Sequence, residues 1–253
     1  MVTKALHSVV IGGTKGVGRA VCQLLAESGH YVTAVGRSST GVILQLPGGG
    51  TIEHCQSDLE QPQHLVQLLL RRIDDYGLLS SIVFLQRYRN NGDSWLGEFQ
   101  VAVEATRVTI DTLAGSFDPA GARSITIVGS NASQFVARNQ SAGYHVSKAA
   151  LRQLARYYAV RLGPERIRVN VVSPCSFTKP ESEAFYNQPK LKELYQKIVP
   201  LGRPGTAVEV AQAVVFLCST QASFITGQDL FVDGGMSLML HDAQARELTN
   251  IHP

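Results

Sequence analysis

Tyr144 and Lys148 stand four residues apart in the run Tyr144-His145-Val146-Ser147-Lys148. On a helix that spacing puts a phenol and an ammonium on one face, one turn apart. A free phenol, with a pKa of about 10, exchanges protons poorly at neutral pH. A neighbouring ammonium and a helix N-terminus both favour its ionised form. Bringing it towards roughly 7–8 takes about 3–4 kcal/mol of differential stabilisation. Such a pair suits proton transfer to or from a substrate oxygen, although the spacing alone is common on surface helices.

A second group of residues points to a nucleotide. Ile11-Gly12-Gly13-Thr14-Lys15-Gly16-Val17-Gly18 follows an apolar run and precedes a helical pattern. Glycines there let the backbone turn sharply and approach a diphosphate, which the helix N-terminus holds with free N–H groups. Gly12, Thr14, Lys15, Gly16, Val17 and Gly18 are the expected cradle. A carboxylate near the end of the second strand would bind a ribose 2′-hydroxyl. That place reads Val35-Gly36-Arg37-Ser38-Ser39 and holds none. Arg37 and Lys15, with Ser38 beside them, are placed to clamp a 2′-phosphate, which predicts NADPH. Each charge-assisted hydrogen bond contributes about 1.5–3 kcal/mol, roughly a tenfold to hundredfold preference.

The elements that must position these groups alternate along the chain. Apolar runs at about 6–11, 31–35, 51–55, 81–85, 124–129, 167–172 and 229–232 read as strands. Helical patterns fit at about 17–28, 61–75, 95–115, 143–162 and 207–219. Alternation of this kind predicts a parallel sheet covered by helices on both faces, an α/β three-layer doubly wound fold. With 253 residues, 44% hydrophobic and 17% charged, one sizeable core is expected and a disordered chain is excluded. Residues 1–253 read as a single domain. A Pro-punctuated excursion at about 174–201 breaks the alternation and is expected to be functional.

Composition narrows the partners. Net charge is +3, from 23 basic and 20 acidic residues, too balanced to argue for nucleic acid. No apolar run reaches the roughly 18–20 residues of a membrane span, and the N-terminal residues lack the pattern of a secretory signal. Cys22, Cys55, Cys175 and Cys218 are scattered without metal-ligand spacing, so no metal site is expected and a reducing compartment, the cytoplasm, fits.

Taken together, the glycine turn, the Tyr-Lys pair and several further runs resemble the short-chain dehydrogenase/reductase family from about His7 to Gly235. Those runs are Asp58-Leu59, Ile167 through Pro174, Pro200-Leu201-Gly202-Arg203, and Phe224 through Gly235. The resemblance implies a Rossmann-type NADP-linked oxidoreductase interconverting a ketone and a secondary alcohol. It implies Tyr144 as general acid/base, Lys148 on the nicotinamide ribose, and a serine orienting the carbonyl. Asp58 and Leu59 would contact the adenine, and Pro174 and Thr178 the nicotinamide end. It implies that 174–201 is a substrate lid and that the chain assembles as a homotetramer or homodimer.

The sequence departs from the family pattern in places. The serine position thirteen residues before Tyr144 is Asn131; Ser130 is the expected serine, with Asn131 and Ser133 as alternatives. Leu85-Gln86-Arg87-Tyr88 replaces Asn-Asn-Ala-Gly, and Ala102 stands where an asparagine usually holds a relay water. Either Gln86, Glu104 or another polar group then rebuilds the relay, or protons exchange with solvent directly, or turnover is slow. A cofactor-binding regulatory or scaffold protein that has lost turnover is the alternative function. An epimerase or dehydratase fits less well, since such relatives usually carry a longer substrate domain. In the lid, Phe177, Phe185 and Tyr186 offer apolar wall, while Leu191, Leu194, Tyr195 and Ile198 recur at a spacing that predicts packing on the domain. Arg87 and Arg89, at the end of the fourth strand of the pattern, predict an anionic or highly polar carbonyl substrate. His145 is expected to be an exposed helix residue, and Trp95 core or interface.

Overall fold

In the computed structural model, which describes residues 5–38, 41–89, 94–249 and 251, the side chains of the first strand divide by parity. Val9 and Ile11 of β1 (His7–Ile11) enter one core and Val10 the other. A strand buried on both faces favours apolar residues; the buried polar pair that opens β1 is hydrogen-bonded instead, His7 to Gly77 and Thr33 and Ser8 to His30. The chain continues through α1 (Gly16–Glu27), β2 (Tyr31–Gly36), β3 (Ile43–Gln45), β4 (Thr51–Gln56), α2 (Pro62–Tyr76) and β5 (Leu79–Phe84). Next come α3 (Ser94–Glu98), a π-helical turn (Phe99–Glu104), α4 (Ala105–Leu113), β6 (Ser124–Val128), α5 (Ala142–Arg161) and β7 (Arg168–Pro174). The remainder is β8 (Phe177–Thr178), α6 (Glu183–Tyr186), α7 (Pro189–Ile198), β9 (Gly205–Thr206), α8 (Ala207–Cys218), β10 (Asp229–Val232) and α9 (His241–Thr249).

Eight strands form the main sheet in the order β10-β7-β6-β5-β1-β2-β4-β3. The order reverses between β1 and β5, so the crevice beyond their carboxyl ends is the expected ligand site. One core lies under α2, α4 and α5, and the other under α1 and α8. The fold is the α/β three-layer Rossmann arrangement anticipated from the alternation.

Three details differ from the sequence reading. β3 pairs antiparallel with β4 at the sheet edge; Ile43 and Leu44 are exposed there, so no burial pattern announced it. The helix expected over 95–115 is interrupted by the π-helical turn between α3 and α4, and β8 and β9 form a small second sheet. The N-terminal residues 1–4 and Ser39 lie outside the described residues.

Candidate active site

The glycine turn sits between β1 and α1. The backbone of Gly18 is pressed so close to the Gly12 carbonyl that a Cβ there would overlap its oxygen, which ties the helix start to the turn. Lys15 precedes α1 without a side-chain cap, and the first turn carries no acid. The N–H groups of that turn are therefore available to an anion.

A crevice of about 760 Å³ opens beyond the carboxyl ends of β1 and β5. Gly12, Thr14, Lys15, Gly16, Val17 and Gly18 line its floor; Arg37, Ser38, Asp58 and Leu59 line one end. Ser130, Tyr144, Lys148 and Pro174 line the other. Of the expected site residues, Thr178 alone is not among the lining residues: its hydroxyl donates to the Gly205 carbonyl at 3.0 Å, joining β8 to β9. The sequence pattern did not show that small sheet; the flanking Phe177 and Lys179 still line the crevice. Asn131 and Ser133 also lie off the crevice, whereas Ser130 caps the short turn they form by accepting from the Ala132 N–H at 3.1 Å.

Does a dinucleotide fit these residues? The buried Ser57 hydroxyl lines the end near Asp58 and makes no hydrogen bond. With the uncapped helix N-terminus and the cations Lys15 and Arg37, it leaves donors where a phosphorylated ribose and diphosphate need them. The donor set suits a nicotinamide dinucleotide.

Ser141 caps α5 by accepting from the Tyr144 N–H at 3.2 Å, so the tyrosine emerges on the first turn. Gly143 lets that turn approach α3: a Cβ at Gly143 would lie 2.7 Å from the Ser94 carbonyl oxygen. Lys148 is 5% exposed and donates to the Val128 carbonyl at 2.9 Å. Its Nζ lies 5.9 Å from the centre of the Tyr144 ring. Burial lowers the ammonium to about 8; Glu98 opposes that shift and Arg87 adds to it.

Sequence reasoning placed Arg87 as a receptor for substrate. The structure engages it instead. Its guanidinium carbon lies 4.3 Å over the Tyr144 ring, one terminal nitrogen donates to Gln140 at 2.6 Å, and its Nε is 3.8 Å from a Glu98 oxygen. Glu98, which sequence reasoning missed, is 3% exposed, and burial raises its carboxyl above the usual range. Its signal was available: it stands four residues before Ala102, one helical turn away on the same face.

Glu104 is not a relay group; it is exposed and paired with Arg107 at 2.7 Å. Gln86 is buried and donates to Thr106 at 2.8 Å, leaving its carbonyl oxygen unpartnered. His145 is half-buried rather than exposed: its Nε2 accepts from the Ala137 N–H at 2.9 Å and braces the loop before α5. Trp95 is exposed, with its ring 5.2 Å from Phe99, and does not belong to the core. Phe177, Phe185 and Tyr186 line the crevice, whereas Leu191, Leu194 and Ile198 do not and Tyr195 is buried in the domain. The Cys175 thiol is buried and pushed up to about 11, away from a reactive thiolate.

Residues 12–237 match a family model described as enoyl-(acyl carrier protein) reductase. The chain belongs to the short-chain dehydrogenase/reductase family. Among reductases of this kind, the 3-oxoacyl-[acyl-carrier-protein] reductase of Chlamydia muridarum is 31% identical over 257 residues, spanning 94% of this chain and 98% of the relative. L-xylulose reductase of Bos taurus is 29% identical over 240 residues, spanning 90% and 95%. Among solved structures, a blue fluorescent protein from a metagenomic library in complex with NADPH superposes with a TM-score of 0.80 at 25% identity, covering 92% of this chain and 98% of that one. A short-chain dehydrogenase/reductase from Mycobacterium ulcerans gives 0.80 at 25% identity, covering 96% and 94%. Like its short-chain dehydrogenase/reductase relatives, the protein is an oxidoreductase built on a nicotinamide-cofactor fold. Among the described residues no helix is long and apolar enough to cross a membrane.

Proposed function

We propose that the protein is an NADPH-dependent carbonyl reductase that interconverts a ketone and a secondary alcohol. One observation carries this reading: Ser130, Tyr144 and Lys148 line one end of a crevice whose other end presents Arg37 and Ser38, with no carboxylate at the close of β2. NADPH, when bound, supplies a hydride. Arg37 and Lys15 hold its 2′-phosphate, the α1 turn its diphosphate, Asp58 and Leu59 its adenine.

Ser130, fixed as a cap, donates to the substrate carbonyl and orients it. Tyr144 gives its phenolic proton to the oxygen as the carbon is reduced, and takes it back in the reverse direction. Lys148, held on Val128, keeps a positive charge behind that phenol. Retention of the phenol favours turnover over a regulatory binder, which needs the lysine but no proton donor.

The substrate is a carbonyl compound bearing an anionic or strongly polar group. Arg87, Arg89 and Lys179 gather at the crevice mouth with Glu181 as counter-charge. The ammonium of Lys179 is disfavoured first by burial, then by Arg89 and to a lesser degree Arg87. Arg87 is committed to its own contacts, so Arg89 and Lys179 receive the anion. The chain works as a homotetramer or homodimer in the cytoplasm; exposed Val146, Tyr157 and Val160 on α5 offer an apolar face for such assembly.

Loss of NADPH absorbance against a panel of keto acids and neutral ketones tests the reading. Oxidation preferring keto acids supports it. Tight NADPH binding with no oxidation across the panel would support a regulatory protein instead. Arg89→Ala and Lys179→Ala variants that turn over an acidic ketone unchanged would remove the anionic assignment.

A further inference from the structure

The relay position is occupied by the methyl of Ala102, which is fully buried. Within the apolar core that holds it, polar residues share its helical face. Glu98, Ala102 and Thr106 recur at intervals of four along α3, the π-helical turn and α4. Thr106 bonds back to the Ala102 carbonyl at 2.7 Å and takes the Gln86 amide. One Glu98 oxygen has no hydrogen-bond partner although it is buried. An unpaired buried carboxylate is costly unless a charge faces it. One does at close range, Arg87 after β5 at 3.8 Å; Lys148 on α5 is the second cation of the cluster, its Nζ 5.9 Å from the Tyr144 ring over which Arg87 lies.

We propose that Glu98 is a positioning residue for the Tyr144–Lys148 pair: its buried carboxylate is the counter-charge of this cluster and holds the Arg87 guanidinium across the Tyr144 ring. This rests on the reductase reading for its consequence in turnover, but the charge relationship exists in the protein alone. The charged groups around Lys148 are Glu98 and Arg87, with Tyr144 on its own helix and the Val128 carbonyl accepting its hydrogen bond. Those facing Glu98 are Arg87, Lys148 and Arg89, with the Tyr88 N–H donating to it. Each of the two cations is anchored by a hydrogen bond of its own, Arg87 by Gln140 and Lys148 by Val128. The arrangement fixes the charge beneath the phenol without a water-holding asparagine.

The test is the titration of Lys148 in the protein without cofactor or substrate. It is read by competitive acetylation with acetic anhydride across pH and quantified on the Lys148 peptide by mass spectrometry. Glu98→Gln keeps the shape and removes the charge, and the Lys148 midpoint should fall by about one pH unit or more, a tenfold change. Glu98→Asp should recover part of the shift. Arg87→Met, which removes the competing cation, should move the midpoint upward and serves if Glu98→Gln does not fold. Midpoints of both variants within a few tenths of the wild type would overturn the proposal. In turnover, Glu98→Gln should carry the alkaline limb of kcat/KM to lower pH by the same amount. An unmoved Lys148 midpoint contradicts the counter-charge alone, whereas absence of any carbonyl turnover with a shifted midpoint contradicts the reductase reading alone.

Discussion

Lys148 Nζ donates to the carbonyl oxygen of Val128 at 2.9 Å, so the last residue of β6 holds the cation of α5 in place. The next residues of that strand end, Gly129 and Ser130, carry the serine into the same crevice. One strand terminus therefore sets both the lysine and the hydroxyl, and a helix cap one turn earlier sets the phenol.

Buried Lys148 binds its proton less tightly in the native state, at about 8, than at its ordinary 10.5. The unfolded chain holds the extra proton between those values, so native stability rises with pH over that window. Its full penalty, about 3 kcal/mol, is present below pH 8. Urea denaturation of wild type against Lys148→Met between pH 7 and pH 10 should show this rise in the wild type and its loss in the variant.

Cofactor choice should follow Arg37. Replacing Arg37 with Ala removes one charge-assisted contact to a 2′-phosphate and should weaken NADPH binding roughly tenfold to a hundredfold. NADH binding should change little. Titration calorimetry with both nucleotides checks the ratio.

Thr178 should behave as a structural residue. Its hydroxyl is spent on the Gly205 carbonyl, so Thr178→Val should lower unfolding free energy by about 1 kcal/mol. The NADPH dissociation constant should stay within a factor of about two. Thermal melts and calorimetry on one preparation separate the two effects.

Gly18→Ala places a methyl against the Gly12 carbonyl. The turn must open to accept it, at a cost of about 1–3 kcal/mol. Nucleotide affinity should fall together with stability, unlike Thr178→Val.

Much of this was legible in the residues themselves. Alternation of apolar runs with helical patterns announces a parallel sheet covered on both faces, and the Gly12–Gly18 turn with the Tyr144–Lys148 spacing announces the two ends of the crevice. β3 was hidden because Ile43 and Leu44 are exposed at a sheet edge and show no buried face. The π-helical turn was hidden because one additional residue in a helix barely perturbs an apolar period. The Thr178 hydrogen bond was hidden because the β8–β9 pairing, which turns its side chain to Gly205, joins segments 27 residues apart. Arg87 follows β5 and Glu98 ends α3, so their 3.8 Å approach comes from packing that the sequence spacing does not show.

Single-turnover oxidation of NADPH with the best carbonyl substrate, compared between wild type and Tyr144→Phe, tests the central claim most directly. The account predicts a fall of about 10²–10⁴-fold in rate with the NADPH dissociation constant unchanged. A Tyr144→Phe enzyme that oxidises NADPH at the wild-type rate would contradict it.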